Sequence, residues 1–521
     1  MTPESLSRAL ADFLSGSQSA VVIEDRAILF DLASARYSIS GEFNKCLLHL
    51  WSNERNLVRR VLDLETKGSN LRLTVQRLGQ AHPTKLEFCR NRDAHSPSAR
   101  RAARAAYEPH LRRALERHFP GLTVNRLTSA IDLEKSFGPV YARGLLGRGQ
   151  SAFAVLGVNQ QASQASVDAA LTFGILWLHV CRERAATRLV VEGLKLVVPH
   201  GTASLIRERM AHLHRDAAKW HLYELDESHD DLLEIDCHDR GNLRTRLVHS
   251  TDPAAAYTRF ADSIQRVLEI LPEAEVAVLS SAEIAFRLHG LEFARARLAQ
   301  HPYAFRNGQE IAFGVGAEEH VLDSSNLAAF SEMAQRASMI RHRSGPRHHP
   351  LWRAHPERWL ESLVLSDVSA VDERLDPRWV YSQVPAFSAA DRGMLDVLTT
   401  TREGRLVVLE LKAEEDIHLP LQGLDYWSRV TWHHERGEFQ RFGYFPGRDL
   451  SPQKPLLKLV APALHVHPAT DTLLRYFSPE LEWEVLGIDE HWRSGVRVVF
   501  RKRPDFIHPG SVHPLSAAAA S

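Results

Sequence analysis

The run LVVLELKA at 406–413 places Glu410 and Lys412 inside an otherwise apolar segment of strand length. In an extended strand, residues two apart share a face. Glu410 and Lys412 therefore point one way, and Leu409 and Leu411 point the other, where they can fill a core. Upstream, GMLDVLTTT is folded back by the REG turn at 402–404, which sets Asp396 beside Glu410 on the same sheet face. Two carboxylates and an ammonium then converge. Buried charges are costly unless paired or bound to metal. A hard divalent cation, Mg²⁺ or Mn²⁺, relieves the repulsion with one or two carboxylates and keeps waters for a phosphate. The lysine can orient or deprotonate a water and offset charge on a phosphorane-like transition state.

The order of elements around this run is a helix (RWLESLVLSDVSAV), three meander strands, a helix (PLQGLDYWSRVTWHHERGEF), a strand (LLKLVAPAL) and a final helix–strand segment. This predicts an α/β mixed sheet flanked by helices. Glu361 lies in the leading helix. Gln422 and Tyr426 stand at i and i+4 on one face of the later helix.

The set Asp396…Glu410-x-Lys412 resembles the PD-(D/E)xK nuclease superfamily, with its restriction-endonuclease-like fold, over about residues 357–465. The proline that commonly precedes the aspartate is absent. Gln422 and Tyr426 match the Q-x-x-x-Y spacing of the RecB-like branch. The resemblance implies Asp396 and Glu410 as metal ligands, Lys412 as the catalytic lysine and Glu361 as an auxiliary metal ligand. Gln422 and Tyr426 would position substrate or Lys412. It implies metal-dependent hydrolysis of DNA, exonuclease-like and in a repair or defence role, with RNA as a second substrate class. The alternative is a non-catalytic nucleic-acid- or protein-binding scaffold, in which the Asp–Glu–Lys set is a polar cluster on a half-exposed sheet and the Glu410–Lys412 ion pair contributes about 0–1 kcal/mol.

A chain of 521 residues exceeds one ordinary core. The expected divisions are an α/β region at 1–250, a middle α/β region with a basic, His-rich connector at 251–356, the nuclease-like domain at 357–510 and a disordered tail at 511–521. Within the first region, FNKCLLHLWSNERNLVRRVLDLET has helical spacing at first and then turns extended. SAFAVLGVN, the helix after it and LVVEGLKLVVPHG form a strand–helix–strand crossover that predicts parallel strands. This region reads as a degenerate copy of the later domain: Asp132, a GRG turn and an apolar strand follow in order, and LKLVVPHG echoes LKLVAPAL. Laying FAVLGVN on LVVLELK puts Gly157 at the Glu410 position and Asn159 at the Lys412 position. Two unrelated crossover units that look alike are the competing reading.

Lys plus Arg and Asp plus Glu both number 64, so any nucleic-acid surface must be local. Cys46, Cys89, Cys181 and Cys237 are scattered, which fits a reducing cytoplasm and argues against a Cys-rich zinc site. No apolar run reaches membrane-spanning length, and neither a phosphate-binding GxxxxGK[ST] loop nor a G-x-S-x-G elbow is present. The helix at 97–118 carries six arginines (Arg100, Arg101, Arg104, Arg112, Arg113, Arg117) and reads as a solvated, ion-paired face before a phosphate track. His342, His348, His349 and His355 read as an exposed basic linker. Glu65-Thr66-Lys67 repeats the E-x-K pattern at a solvated strand end without a hairpin Asp. The N-terminal half is the expected surface for a protein partner or a second copy.

Overall fold

The computed structural model describes residues 2–504 except 15–19, 25–26, 33–34, 43–44, 52–55, 68–69, 77–82, 90–96, 133–136, 186–188, 242, 244, 300–307, 315–319 and 389–391. The tail expected at 511–521 lies outside the described residues. The protein is mixed α/β, with four sheets among the described residues. Helix Pro3–Leu14 and seven antiparallel strands between Val21 and Cys89 enclose one core around Leu48, Leu73 and Phe88. The helical spacing read near residue 45 is overturned. Lys45–Trp51 and Asn56–Lys67 are paired strands, and the alternation Cys46, Leu48, Leu50 serves one sheet face, as a period of two requires. A five-stranded antiparallel sheet with helices Ala261–Ile270 and Leu327–Ile340 forms a second small core in the middle region.

The other two sheets share one plan. In the first lobe, strands Thr123–Thr128, Tyr141–Arg148, Ser151–Val158, Val190–Pro199, Lys219–Asp226 and Asp231–Ile235 lie side by side in chain order. In the second, Leu375–Ser388, Arg392–Thr401, Leu406–Leu411, Leu456–Pro462, Trp483–Ile488 and Val498–Lys502 do the same. Both run antiparallel, antiparallel, parallel, parallel, antiparallel. The parallel steps are bridged by helices at matching places: Ala170–Arg184 and Ser204–Met210 in the first lobe, Leu419–Glu435 and Thr470–Leu474 in the second. Thr245–Leu247, from the region read as N-terminal, adds an edge strand to the second sheet, so the lobes interlock across the expected boundary at 250.

The parallel register fixes which residues correspond. Gly174 and Gly423 each sit where a Cβ would strike two leucines of the underlying strand, Leu194 and Leu196 in one lobe, Leu457 and Leu459 in the other. Leu156 pairs with Leu196, and Glu410 with Leu459. The expected alignment is therefore corrected by one residue: Leu156 stands at the Glu410 position and Val158 at the Lys412 position. Gly157 instead lets Tyr107 and Leu111 approach the strand, and Asn159 accepts from Gln161 N in the turn beyond it. Asp132 is not the counterpart of Asp396. It lies in an isolated bridge with Phe137, and Arg143, opposite Leu156, occupies that position.

The lobes face each other across their crossover helices, and one apolar cluster runs through both, including Leu171, Ile175, Leu178, Leu421, Leu424 and Trp427. Leu213 bridges Phe477, each three residues beyond the matching short helix, with reciprocal bonds from His214 N to Tyr476 O (2.8 Å) and from Ser478 N to His212 O (2.9 Å). This is the exchange pattern of a two-fold interface, built within one chain. Side-chain ties across the interface break the symmetry, among them Arg209, which grips Asp425 through two nitrogens at 2.8 and 2.7 Å and donates to Asp168 O at 2.6 Å.

The middle region anchors the helix Pro356–Ser366. Buried Arg341 donates to the carbonyls of Leu288, His289, Leu351 and Ala354 and stacks on Trp359. Gly290, at φ +72°, packs on the Arg358 carbonyl, where a Cβ would lie 2.1 Å from the oxygen. Only glycine meets both demands. Two outcomes follow. Arg209→Ala leaves Asp425 unpaired between the lobes and should cost about 3–5 kcal/mol in chemical denaturation; a loss below about 1 kcal/mol would mean the tie is peripheral. Gly290→Ala should destabilise by more than about 1 kcal/mol and shift the amide resonances of Arg358 and its neighbours; unchanged spectra would contradict the contact.

Candidate active site

Strand pairing builds the site. Val397 lies opposite Leu409 and Leu398 opposite Val408 in the antiparallel hairpin. One further step of that register sets Asp396 opposite Glu410, where Cβ atoms sit roughly 4.5–5.5 Å apart. The strand is apolar on its other face, with Leu409 and Leu411 buried against Trp359, Leu360 and Val364 of the Pro356–Ser366 helix. That packing turns Glu410 and Lys412 together toward the crossover helix.

Asp396 Oδ2 accepts from Leu411 N at 2.9 Å, which pins its carboxylate across the strand. Glu410 is 2 % exposed, and its Oε2 has no hydrogen-bond partner among the described residues. A buried carboxylate oxygen without a partner costs about 1–3 kcal/mol or more. Lys412 Nζ lies 3.7 Å from Glu410, 3.6 Å from Glu357 and 3.8 Å from Asp416. Glu361, buried at the rim, accepts from Arg358 at 2.8 Å. From the crossover helix, Gln422 brings an Oε1 that is buried without a partner. Tyr426 lies within the field of Glu410 and Asp396.

The electrostatics follow from burial beside like charge. Burial, with the Glu361 charge adding to it, pushes Asp396 up to about 6, against the bond from Leu411 N and the cations Lys412 and Arg358. Burial, then the Asp396 charge, pushes Glu410 well above the usual carboxylate range. Burial lowers the Lys412 pKa, but Glu410, Glu357, Asp396 and Asp416 outweigh it, and the ammonium is held more firmly than usual. Burial and the same two acids suppress the acidity of Tyr426.

Asp396, Glu410, Lys412 and Tyr426 are thus brought together, with Glu361 at the rim through its charge. Gln422 lies on the crossover helix with its Oε1 buried and without a partner among the described residues. Residues that sequence reasoning passed over are Glu357, Arg358 and, from the other lobe, Arg209 through Asp425. Glu357 and Arg358 stand four and three residues before Glu361, a spacing that marks one helical face. Nothing local signals Arg209, because its partner is 216 residues away.

Other expected features fall elsewhere. Arg113 pairs with Asp230, Arg117 donates to His229 O and Arg112 to Val124 O, so these arginines serve the first lobe's own structure; the side chains of Arg100, Arg101 and Arg104 lie outside the described residues. His349 caps the short helix that follows it through Leu351 N. All four cysteines are free and buried. Among the described residues, no helix is long and apolar enough to cross a membrane.

Among the described residues, no group of three or more His, Cys, Asp or Glu side chains is arranged to hold a metal ion. The donor set of the site is two opposed carboxylates with one oxygen unsatisfied, all hard oxygen. That fits Mg²⁺ or Mn²⁺, which take one or two carboxylates and retain waters, and does not fit a closed zinc site. No protein-family model, curated protein or solved structure matches the chain.

In the metal-free protein the two raised acids keep protons that the unfolded chain, at about 4, has released. Their favourable contribution is present below about pH 4 and is lost as pH rises through about 6 for Asp396, and higher for Glu410. Glu410→Gln removes the buried charge and can donate to Asp396. Thermal unfolding at pH 8 should show the variant more stable than the parent by about 1–3 kcal/mol, with the difference shrinking toward pH 5. A variant less stable at pH 8 would contradict this electrostatic account.

Proposed function

We propose that the second lobe is a PD-(D/E)xK-type nuclease domain of restriction-endonuclease-like fold that hydrolyses phosphodiester bonds in DNA with Mg²⁺ or Mn²⁺. The single observation that carries the reading is the cross-strand apposition of Asp396 and Glu410, with a partnerless oxygen on Glu410 and Lys412 two residues along the same face. A strand order in which parallel strands follow an antiparallel hairpin agrees with it.

Asp396 and Glu410 would hold the cation, and Glu361 joins them when Arg358 releases it. A bound divalent ion supplies Lewis-acid polarisation of a phosphate oxygen and a more acidic water. Lys412, held as an ammonium by its acidic neighbours, orients the attacking water and offsets charge developing on the phosphate; its raised pKa argues against a role as general base. Gln422 and Tyr426 line the helix side, where the amide and phenol can position substrate or Lys412. The scaffold alternative is favoured by one observation, that Lys412 and Arg358 already find carboxylates.

The test is divalent-dependent cleavage of linear, nicked and single-stranded DNA, with RNA in parallel. Lys412→Ala should lose about 10²–10³-fold in rate while retaining fold and DNA binding. Wild-type protein that binds DNA but never cuts with any divalent metal would establish the scaffold reading instead.

A further inference from the structure

Two lobes of one plan, facing each other across an internal two-fold, carry different side chains at the positions that build the site. Where the second lobe has Asp396, Glu410, Lys412 and Tyr426, the first has Arg143, Leu156, Val158 and Trp177. Leu156 and Val158 are completely buried. The Arg143 guanidinium is 3 % exposed, donates to the carbonyls of Ala130, Gly138 and Tyr141, and lies over Phe137 and Trp177. Two acids act on Arg143 from nearby, Asp132 and Glu108. Asp132 pairs with Arg184, and Glu108 accepts from Ser129 N. A fixed cation and two aliphatic side chains thus stand where a divalent ion would need oxygen donors.

The two backbones of duplex DNA are themselves related by local two-folds, so a two-fold pair of sites meets one phosphate on each strand. The second site borders the lobe interface, since Asp425, held by Arg209, acts on both Glu410 and Tyr426. The symmetry puts the Arg143 position beside the same interface.

Resting on the nuclease reading above, we infer that the chain is a built-in pseudo-dimer with one working centre, which nicks one strand of duplex DNA per binding event and does not cut both. Each event adds one water to one phosphodiester. The water oxygen bonds phosphorus, one P–O ester bond breaks with its electron pair, and the leaving oxygen ends protonated.

The full-length wild-type chain, incubated with negatively supercoiled plasmid and Mg²⁺ over a range of protein concentrations, should convert the supercoiled form to open circles before linear product appears. In parallel, electron paramagnetic resonance should show tight Mn²⁺ binding by the wild type and its loss in the doubly substituted Asp396→Asn, Glu410→Gln protein. Linear product forming from the outset alongside open circles would overturn the inference and leave the nuclease reading standing. Tight Mn²⁺ binding retained by the folded double variant would also overturn it, by placing a second cation site elsewhere. Failure to cut any DNA with any divalent metal would bring down both the nuclease reading and this inference.

Discussion

Two carboxylates face each other across one antiparallel step, and the second lobe is organised around that fact. Asp396 and Glu410 would repel if both were charged and would be poorly solvated in either state. The surroundings resist relaxation: Leu411 N fixes one carboxylate, and the buried Leu409 and Leu411 fix the strand that bears the other. The result is a pair whose protons are retained above the ordinary carboxylate range and one oxygen with no hydrogen-bond partner among the described residues. An arrangement of this kind lowers stability, and under the proposed nuclease reading a bound cation would offset that cost.

The first lobe shows what the same framework looks like without that demand. It keeps the strand order, the crossover helix and the glycine that lets helix and sheet meet. The two terminal nitrogens of its buried Arg143 donate to backbone carbonyls and the guanidinium lies over Phe137 and Trp177, while its Nε has no partner among the described residues; the neighbouring positions are aliphatic. Lys195 and Lys458, equivalent in the echoed LKLV runs, diverge in the same manner. Lys195 is enclosed by Phe119, Phe153 and Tyr223, and Lys458 is paired with Asp372 and Glu484. Sheet architecture tolerates either solution as long as each buried charge has partners.

The sequence made the meander, both crossover units and the site strand legible, because strong period-two runs bounded by turns leave little choice of structure. It also exposed the echo between the halves through LKLV, although the alignment of FAVLGVN came out one residue off. A short apolar strand carries no internal register mark, and only pairing with its neighbour fixes which residue replaces Glu410. The segment at 45–51 misled because Cys46, Leu47, Leu48 and Leu50 satisfy a helical spacing as readily as a buried strand. Arg209, Arg341 and Gly290 were invisible for a different reason: each acts on a residue more than ten positions away, through tertiary packing alone.

The account stands or falls on where a divalent ion binds. Anomalous diffraction from crystals of the protein soaked in Mn²⁺ addresses this directly. A peak shared by the Asp396 and Glu410 carboxylates, with none beside Arg143, is the predicted result. A difference map in which the two carboxylates stay free of manganese at saturating concentration, or in which the ion lies in the first lobe, would contradict it.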